Sequence, residues 1–219
     1  MIVLGIETST SAGSLAIVDN EKVLAEYTLS SCSHSVWLMV TIKTVLKDVG
    51  LKIKDLQGIS ISVGPGAFTS LRVGVSSAKG LAQSLNLPLA TISSLEVLAA
   101  NISFTHFSIC PTIDAKRKEV YAAFFKYQDQ GLRQITEDLL LTPLDLALKV
   151  KEPTIFIGNG VLLYQEILRE NLKEKAIFLS EIFSLPRASL VASLGEKKIK
   201  EGKAANLFEV EPLYLRSSV

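Results

Sequence analysis

The order of the secondary-structure signals constrains this chain most: three strand-like runs come first, strand and helix signals then alternate, and the same order returns in the second half. Ile2–Glu7, Ser14–Asp19 and Val23–Leu29 are β-branched or apolar runs, and Asp19-Asn20-Glu21 between the last two carries hairpin-turn chemistry. From Val36 to Val49, the residues Leu38, Ile42, Val45, Leu46 and Val49 recur at helical spacing, with Ser35 as N-cap and Gly50 as a stop. Ile59, Ile61 and Val63 alternate with small polar residues as a strand does. Gly64-Pro65-Gly66 then breaks the chain before a second helix, about Thr69 to Leu85, with Leu71, Val75, Ala78, Ala82 and Leu85 as its core stripe. Leu87–Thr91 reads as a short strand, and Ser93-Ser94-Leu95-Glu96 as a capping box for a third helix.

The apolar pattern lapses around Ser103–Ser108, which predicts a first lobe over 1–103 and a second over 104–219. Strand signals restart with Ile109–Asp114 and Val120–Lys126, turn at Asp129-Gln130-Gly131 and continue through Leu132–Ile135. Thr142-Pro143 is an N-cap followed by proline at the first helical position. Thr154–Ile157 leads through Gly158-Asn159-Gly160 into another helix, Pro186 to about Ile199 is the last helix, and Leu207–Arg216 is a tail. The repetition is one of order, without repeated sequence.

A chain of 219 residues with 48% hydrophobic side chains suits two compact lobes and buries enough surface to fold without disulfides or a structural metal. Lys+Arg 23 against Asp+Glu 22 leaves a net charge of +1, which excludes an autonomous nucleic-acid binder drawn by a long-range positive field. The apolar start runs into Glu7-Thr8-Ser9-Thr10 without a basic leader, and no apolar run reaches the ~20 residues of a membrane helix. Cys32 and Cys110 stand far apart, as reduced thiols do. The expectation is a cytoplasmic protein with no membrane contact.

Meander followed by alternation, twice over, is the layout of two-lobed nucleotide-binding proteins such as actin-like ATPases and sugar kinases. In these, phosphates lie against the backbone amides of tight turns. Glu7, Thr8 and Ser9 after the first strand, and Gly158 and Gly160 in the second lobe, are the candidates for such a site, here a vestigial one. A short polar turn after a strand is also simply a turn.

Three stretches carry a more specific likeness. Gly64-Pro65-Gly66-Ala67-Phe68-Thr69-Ser70-Leu71-Arg72-Val73-Gly74, followed by Ala78-Lys79-Gly80-Leu81-Ala82, resembles the signature of the bacterial TsaB family, also called YeaZ. Asp114-Ala115-Lys116-Arg117-Lys118-Glu119-Val120-Tyr121 is similar to a second stretch of that family, and Glu211-Pro212-Leu213-Tyr214-Leu215-Arg216 to its ending. The resemblance runs the length of the chain. It implies a two-lobed actin-like α/β fold of the ribonuclease H-like kind, with a mixed sheet and helices in each lobe. It also implies a non-catalytic subunit that partners TsaD and TsaE in making threonylcarbamoyladenosine next to the anticodon of tRNAs, touching tRNA only through the complex and meeting ATP only as part of it. Glu7 and Ser70 depart from that family, which usually has aspartate and commonly glycine there.

The catalytic sibling TsaD holds a metal through two histidines on one helix turn. Here the residue four positions after His34 is Leu38, and the other histidine is His106, so no metal site and no catalytic residue are expected. The alternative is a self-sufficient ATPase or small-molecule kinase, which needs acidic residues for base and Mg²⁺; only Glu7 and Asp114 are in plausible positions.

A protein that acts by binding should show apolar or small residues on helix faces that its core does not use. On the first helix Val36 and Val40 point away from the core stripe and Trp37 lies on the flank. On the second, Val73, Ser77, Gly80 and Ser84 form a second stripe of small residues, which allows another helix to approach closely. These seven residues are the expected interface with TsaD and, in the free protein, with a second copy as a homodimer. Lys197-Lys198-Ile199-Lys200-Glu201 reads as a solvated helix end, and Asp114, Arg117 and Glu119 as a polar hairpin connection.

Overall fold

The computed structural model describes residues 1–129 and 131–216; the expected turn residue Gln130 and positions 217–219 lie outside the described residues. The chain divides into two units, Met1–Ser94 with Pro186–Leu213, and Leu95–Leu185 with the chain from Tyr214 onward.

The first unit is built on a five-stranded sheet ordered β3-β2-β1-β4-β5, from β1 (Ile2–Glu7), β2 (Gly13–Asp19), β3 (Lys22–Leu29), β4 (Gly58–Gly64) and β5 (Leu89–Ser93). The meander β1-β2-β3 is antiparallel, and β1-β4-β5 is parallel. Helices α1 (His34–Asp48) and α2 (Phe68–Leu85) bury Leu38, Ile42, Val45, Val75 and Ala78 against Leu4, Ile6, Ile17, Ile59 and Ile61. Gly50, at φ +72°, follows the end of α1 as the stop its position predicts.

The opposite face of this sheet carries the last helix, α6 (Ala188–Lys200). Glycines make that approach possible: a Cβ on Gly5 would stand 2.2 Å from the Ala188 carbonyl oxygen, and one on Gly195 would stand 2.1 Å from Ser60 Oγ. Ser60 Oγ donates to the Val191 carbonyl at 2.7 Å, so the small polar residues of β4 are buried under a helix, not solvent-facing. This corrects the expected lobes. The division falls after Ser94 instead of at 104, and residues 186–213 return to the first unit, because α6 packs on the first sheet.

The second unit repeats the design. β6 (Ser108–Lys116), β7 (Glu119–Ala122), β10 (Leu139–Leu141), β11 (Thr154–Ile157) and β12 (Ala176–Phe178) are ordered β10-β7-β6-β11-β12, again an antiparallel meander beside parallel strands. α4 (Pro143–Lys149) and α5 (Asn159–Leu172) cover one core, around Phe156 and Leu146. α3 (Ser94–Ala99) contributes Leu95 and Leu98 to another, around Ile113 and Phe125. The expected single strand Val120–Lys126 is interrupted at Ala123 and Phe124. Its second part, β8 (Phe125–Gln128), pairs with β6 and with β9 (Gly131–Gln134). Thr142 Oγ1 accepts from the Asp145 amide at 3.2 Å, which is the cap expected ahead of Pro143.

Candidate functional site

α1 begins two residues earlier than its periodicity suggests, with Ser33 as N-cap in place of Ser35. This start sets which residues face outward. Val36 and Val40 are 71% and 65% exposed, and Met39 beside them is 50% exposed. The three form an apolar stripe, and Lys43 on the same face is exposed. Met39 belongs with the expected residues but is absent from them; its i+3 spacing from Val36 is the signal that finds it. Trp37, expected on the flank, is half-buried at the edge of the core, and its ring covers Gly13, where a Cβ would stand 2.9 Å from it.

α2 lies beside α1 and presents the second expected stripe. Val73 is half-buried and packs against the core, Ser77 is half-buried, and Gly80 and Ser84 are exposed. Gly80 differs from Gly74, the other glycine of α2, because a Cβ built on it meets nothing within 4 Å. A helix-interior glycine costs about 0.5–1 kcal/mol relative to alanine, and among the described residues nothing occupies that space. Val36, Met39, Val40, Ser77, Gly80 and Ser84 thus make an outward face with an apolar side and a small-residue side.

The expected phosphate turn is buried, and two of its amides bond within the turn. Glu7, Thr8 and Ser9 are fully buried. The Ser9 amide donates to Glu7 Oε1 at 2.6 Å and the Ala12 amide to Thr10 Oγ1 at 3.1 Å, so these donors serve the turn itself. The Ser9 carbonyl accepts from the Ala67 amide at 2.7 Å. A Cβ on Gly66 would fall 2.1 Å from the same carbonyl oxygen, and one on Gly74 would fall 2.1 Å from Thr8 Oγ1. The glycines of the long motif therefore let α2 and its leading loop press onto this turn. Burial pushes the Glu7 carboxyl above its ordinary value, and the Ser62 and Ser9 hydroxyls with the Ser9 amide pull it partly back.

Gly158 and Gly160 stand at the start of α5. Gly158 has φ +105°, and a Cβ there would lie 2.1 Å from the Thr112 carbonyl oxygen; its amide donates to Ser184 Oγ at 3.1 Å. Gly160 is buried against Thr112 and Val120. Both serve close packing of α5 on β6. His34 is buried, with Nε2 on the Thr10 carbonyl at 2.9 Å, while His106 is exposed in the other unit. Among the described residues no three His, Cys, Asp or Glu side chains come together as a metal would require, and no helix is long and apolar enough to cross a membrane.

Known proteins place this architecture. The family model described as TsaD, tRNA N6-adenosine threonylcarbamoyltransferase, matches residues 22–219. The tRNA threonylcarbamoyladenosine biosynthesis protein TsaB of Bacillus subtilis (strain 168) is 34% identical over 220 residues, covering 99% of this chain and 94% of that one. The structure of YeaZ from Pseudomonas aeruginosa superposes with a TM-score of 0.84 at 24% identity, over 98% of this chain and 99% of that one. The ROK hexokinase from Thermus thermophilus shares the fold alone, with a TM-score of 0.59 at 11% identity over 91% of this chain and 100% of that one. The fold is thus the two-lobed actin-like α/β fold with a mixed sheet in each unit.

Proposed function

Because this chain belongs to the TsaB family of tRNA threonylcarbamoyladenosine biosynthesis proteins, we propose that it is a non-catalytic subunit of the threonylcarbamoyl transfer machinery, and that it works by docking TsaD on the α1/α2 face. TsaD transfers the threonylcarbamoyl group to tRNA adenosine. This chain holds TsaD in a productive arrangement, TsaE acts on the assembled pair, and tRNA is met through the complex. The setting is the cytoplasm, and in the absence of TsaD the same face pairs two copies of this chain. The observation that carries this reading is Gly80: a helix-interior glycine with open space around it, beside exposed Val36 and Val40. Such a residue gains nothing for its own fold and permits a second helix to come close.

The chain supplies no nucleotide site of its own in this reading. Thr8 and Ser9 lie beneath Gly74 and Gly66, and the Ser9 and Ala12 amides are engaged within the turn. A phosphate-binding turn needs such donors free. The test is co-purification with TsaD from the same cell, wild type against Gly80→Arg, with ATP hydrolysis measured on the chain alone. TsaD retained by the wild type and lost by the variant, with an inert isolated chain, supports the reading. ATP turnover by the isolated chain with an added small acceptor would make it an enzyme in its own right.

A further inference from the structure

Lys116 and Glu119 pair across the hairpin between β6 and β7, so Arg117 and Lys118 form a two-residue turn. Their φ angles are +53° and +63°, and Lys116, beside the register shift in β6, has +61°. Two-residue hairpin turns with both central residues at positive φ favour Asn-Gly and Asp-Gly, because a larger side chain crowds the backbone there. Three long cations occupy these positions instead.

The turn between β2 and β3 shows what an internally supported version looks like. Asn20 and Glu21 have φ +47° and +67°, with asparagine in the first position. Asn20 Nδ2 donates to Asp19 Oδ1 at 2.9 Å, and the Glu21 amide donates to Glu196 Oε2 at 3.2 Å. In the β6–β7 turn the two flanking residues are tied down, Lys116 by its amide and ammonium donating to Asp114, at 2.9 and 2.6 Å, and Glu119 by an ion pair with Arg216. Arg117 and Lys118 are exposed and make no side-chain hydrogen bond or ion pair among the described residues.

Backbone strain kept without internal support points to a use outside the chain. We propose that this hairpin tip contacts the sugar-phosphate backbone of folded RNA, with Arg117 and Lys118 each on a phosphate; the inference rests on the tRNA-linked reading above. Phosphate contacts need exposed, unpaired cations and no apolar anchor, and Arg117 and Lys118 at the tip offer that. A protein-docking tip would instead carry an aromatic or aliphatic anchor beside its charges. With a net charge of +1 on the whole chain, the tip adds to RNA binding by the assembly and does not capture RNA alone.

The test uses the complex of the full chain with TsaD, an unmodified tRNA transcript as probe, and the double variant Arg117→Asn/Lys118→Gly, which installs the favoured turn residues. The expected result is a higher Tm, unchanged assembly with TsaD, tRNA affinity lower by about tenfold, and a salt-dependence slope reduced by about two. Unchanged tRNA affinity with assembly intact overturns the proposal. Lost assembly with TsaD also overturns it and makes the tip a protein contact. Failure of the wild-type chain to bind TsaD at all contradicts the underlying reading, which the other two outcomes leave standing.

Discussion

Gly74 and Gly80 stand six residues apart on α2 and differ in everything except their side chain. A Cβ on Gly74 would meet Thr8 Oγ1 at 2.1 Å and Ile61 Cδ1 at 3.2 Å, whereas one on Gly80 would meet nothing within 4 Å. Both give up helix propensity. For Gly74 the return lies inside the chain, since its absent side chain lets α2 close over the Glu7-Thr8-Ser9 turn. For Gly80 no such contact exists among the described residues. The pair separates a glycine required by folding from one whose surroundings are open, the feature on which the proposed docking of a second molecule rests.

The largest effect should come from breaking the inner side. Gly74→Val puts three carbons where Thr8 and Ile61 already sit, and should cost about 3 kcal/mol or more in urea unfolding. Gly66→Ala should be of similar severity, because the obstacle is the Ser9 carbonyl and backbone cannot swing aside.

Under the same inner face, Glu7 is fully buried with its carboxyl raised above 4.5. Over the interval from that ordinary value up to the raised one, the native state binds more protons at this site than the unfolded chain, so its contribution falls as pH rises. Glu7→Gln keeps an acceptor for the Ser9 amide and removes the titration. Denaturation across this interval should therefore show the variant gaining on the wild type with increasing pH and the gain levelling off above it; a pH-independent difference would contradict the burial argument.

The smallest effect sharpens the outer side. Gly80→Ala should stabilise the isolated chain by about 0.5–1 kcal/mol, read as a shifted midpoint at constant slope in urea. A loss of stability would mean that Gly80 has an internal role after all.

Much of the first unit was legible because its signals are local. The meander turns on Asp19-Asn20-Glu21, and both helices repeat apolar residues at helical spacing. The assignment of α6 was not, since its sequence marks an amphipathic helix but says nothing about which sheet receives it. Gly5 and Gly195 hold that information, and each matters only through a distant partner, Ala188 and Ser60. β10 and β12, at three residues each, are too short to show a period. On the proposed docking face the exposed Val36 and Val40 were readable from the helical wheel. Trp37 lies half-buried on the flank, as expected, and the contact of its ring with the space above Gly13 is one no periodicity encodes. The hairpin at Arg117-Lys118 was legible as a polar connection between two strand runs, but its positive φ angles were not, since no glycine or asparagine stands there.

The central claim is that Gly80 is kept for a partner. The most direct measurement is calorimetric titration of TsaD into the wild-type chain, Gly80→Ala and Gly80→Arg, each first shown to be folded by circular dichroism. The account predicts a graded loss, modest for alanine and at least about a hundredfold in Kd for arginine, worth about 2.7 kcal/mol. Equal affinity for all three would show that TsaD does not approach α2 at Gly80, and the docking face would have to be sought elsewhere on the molecule.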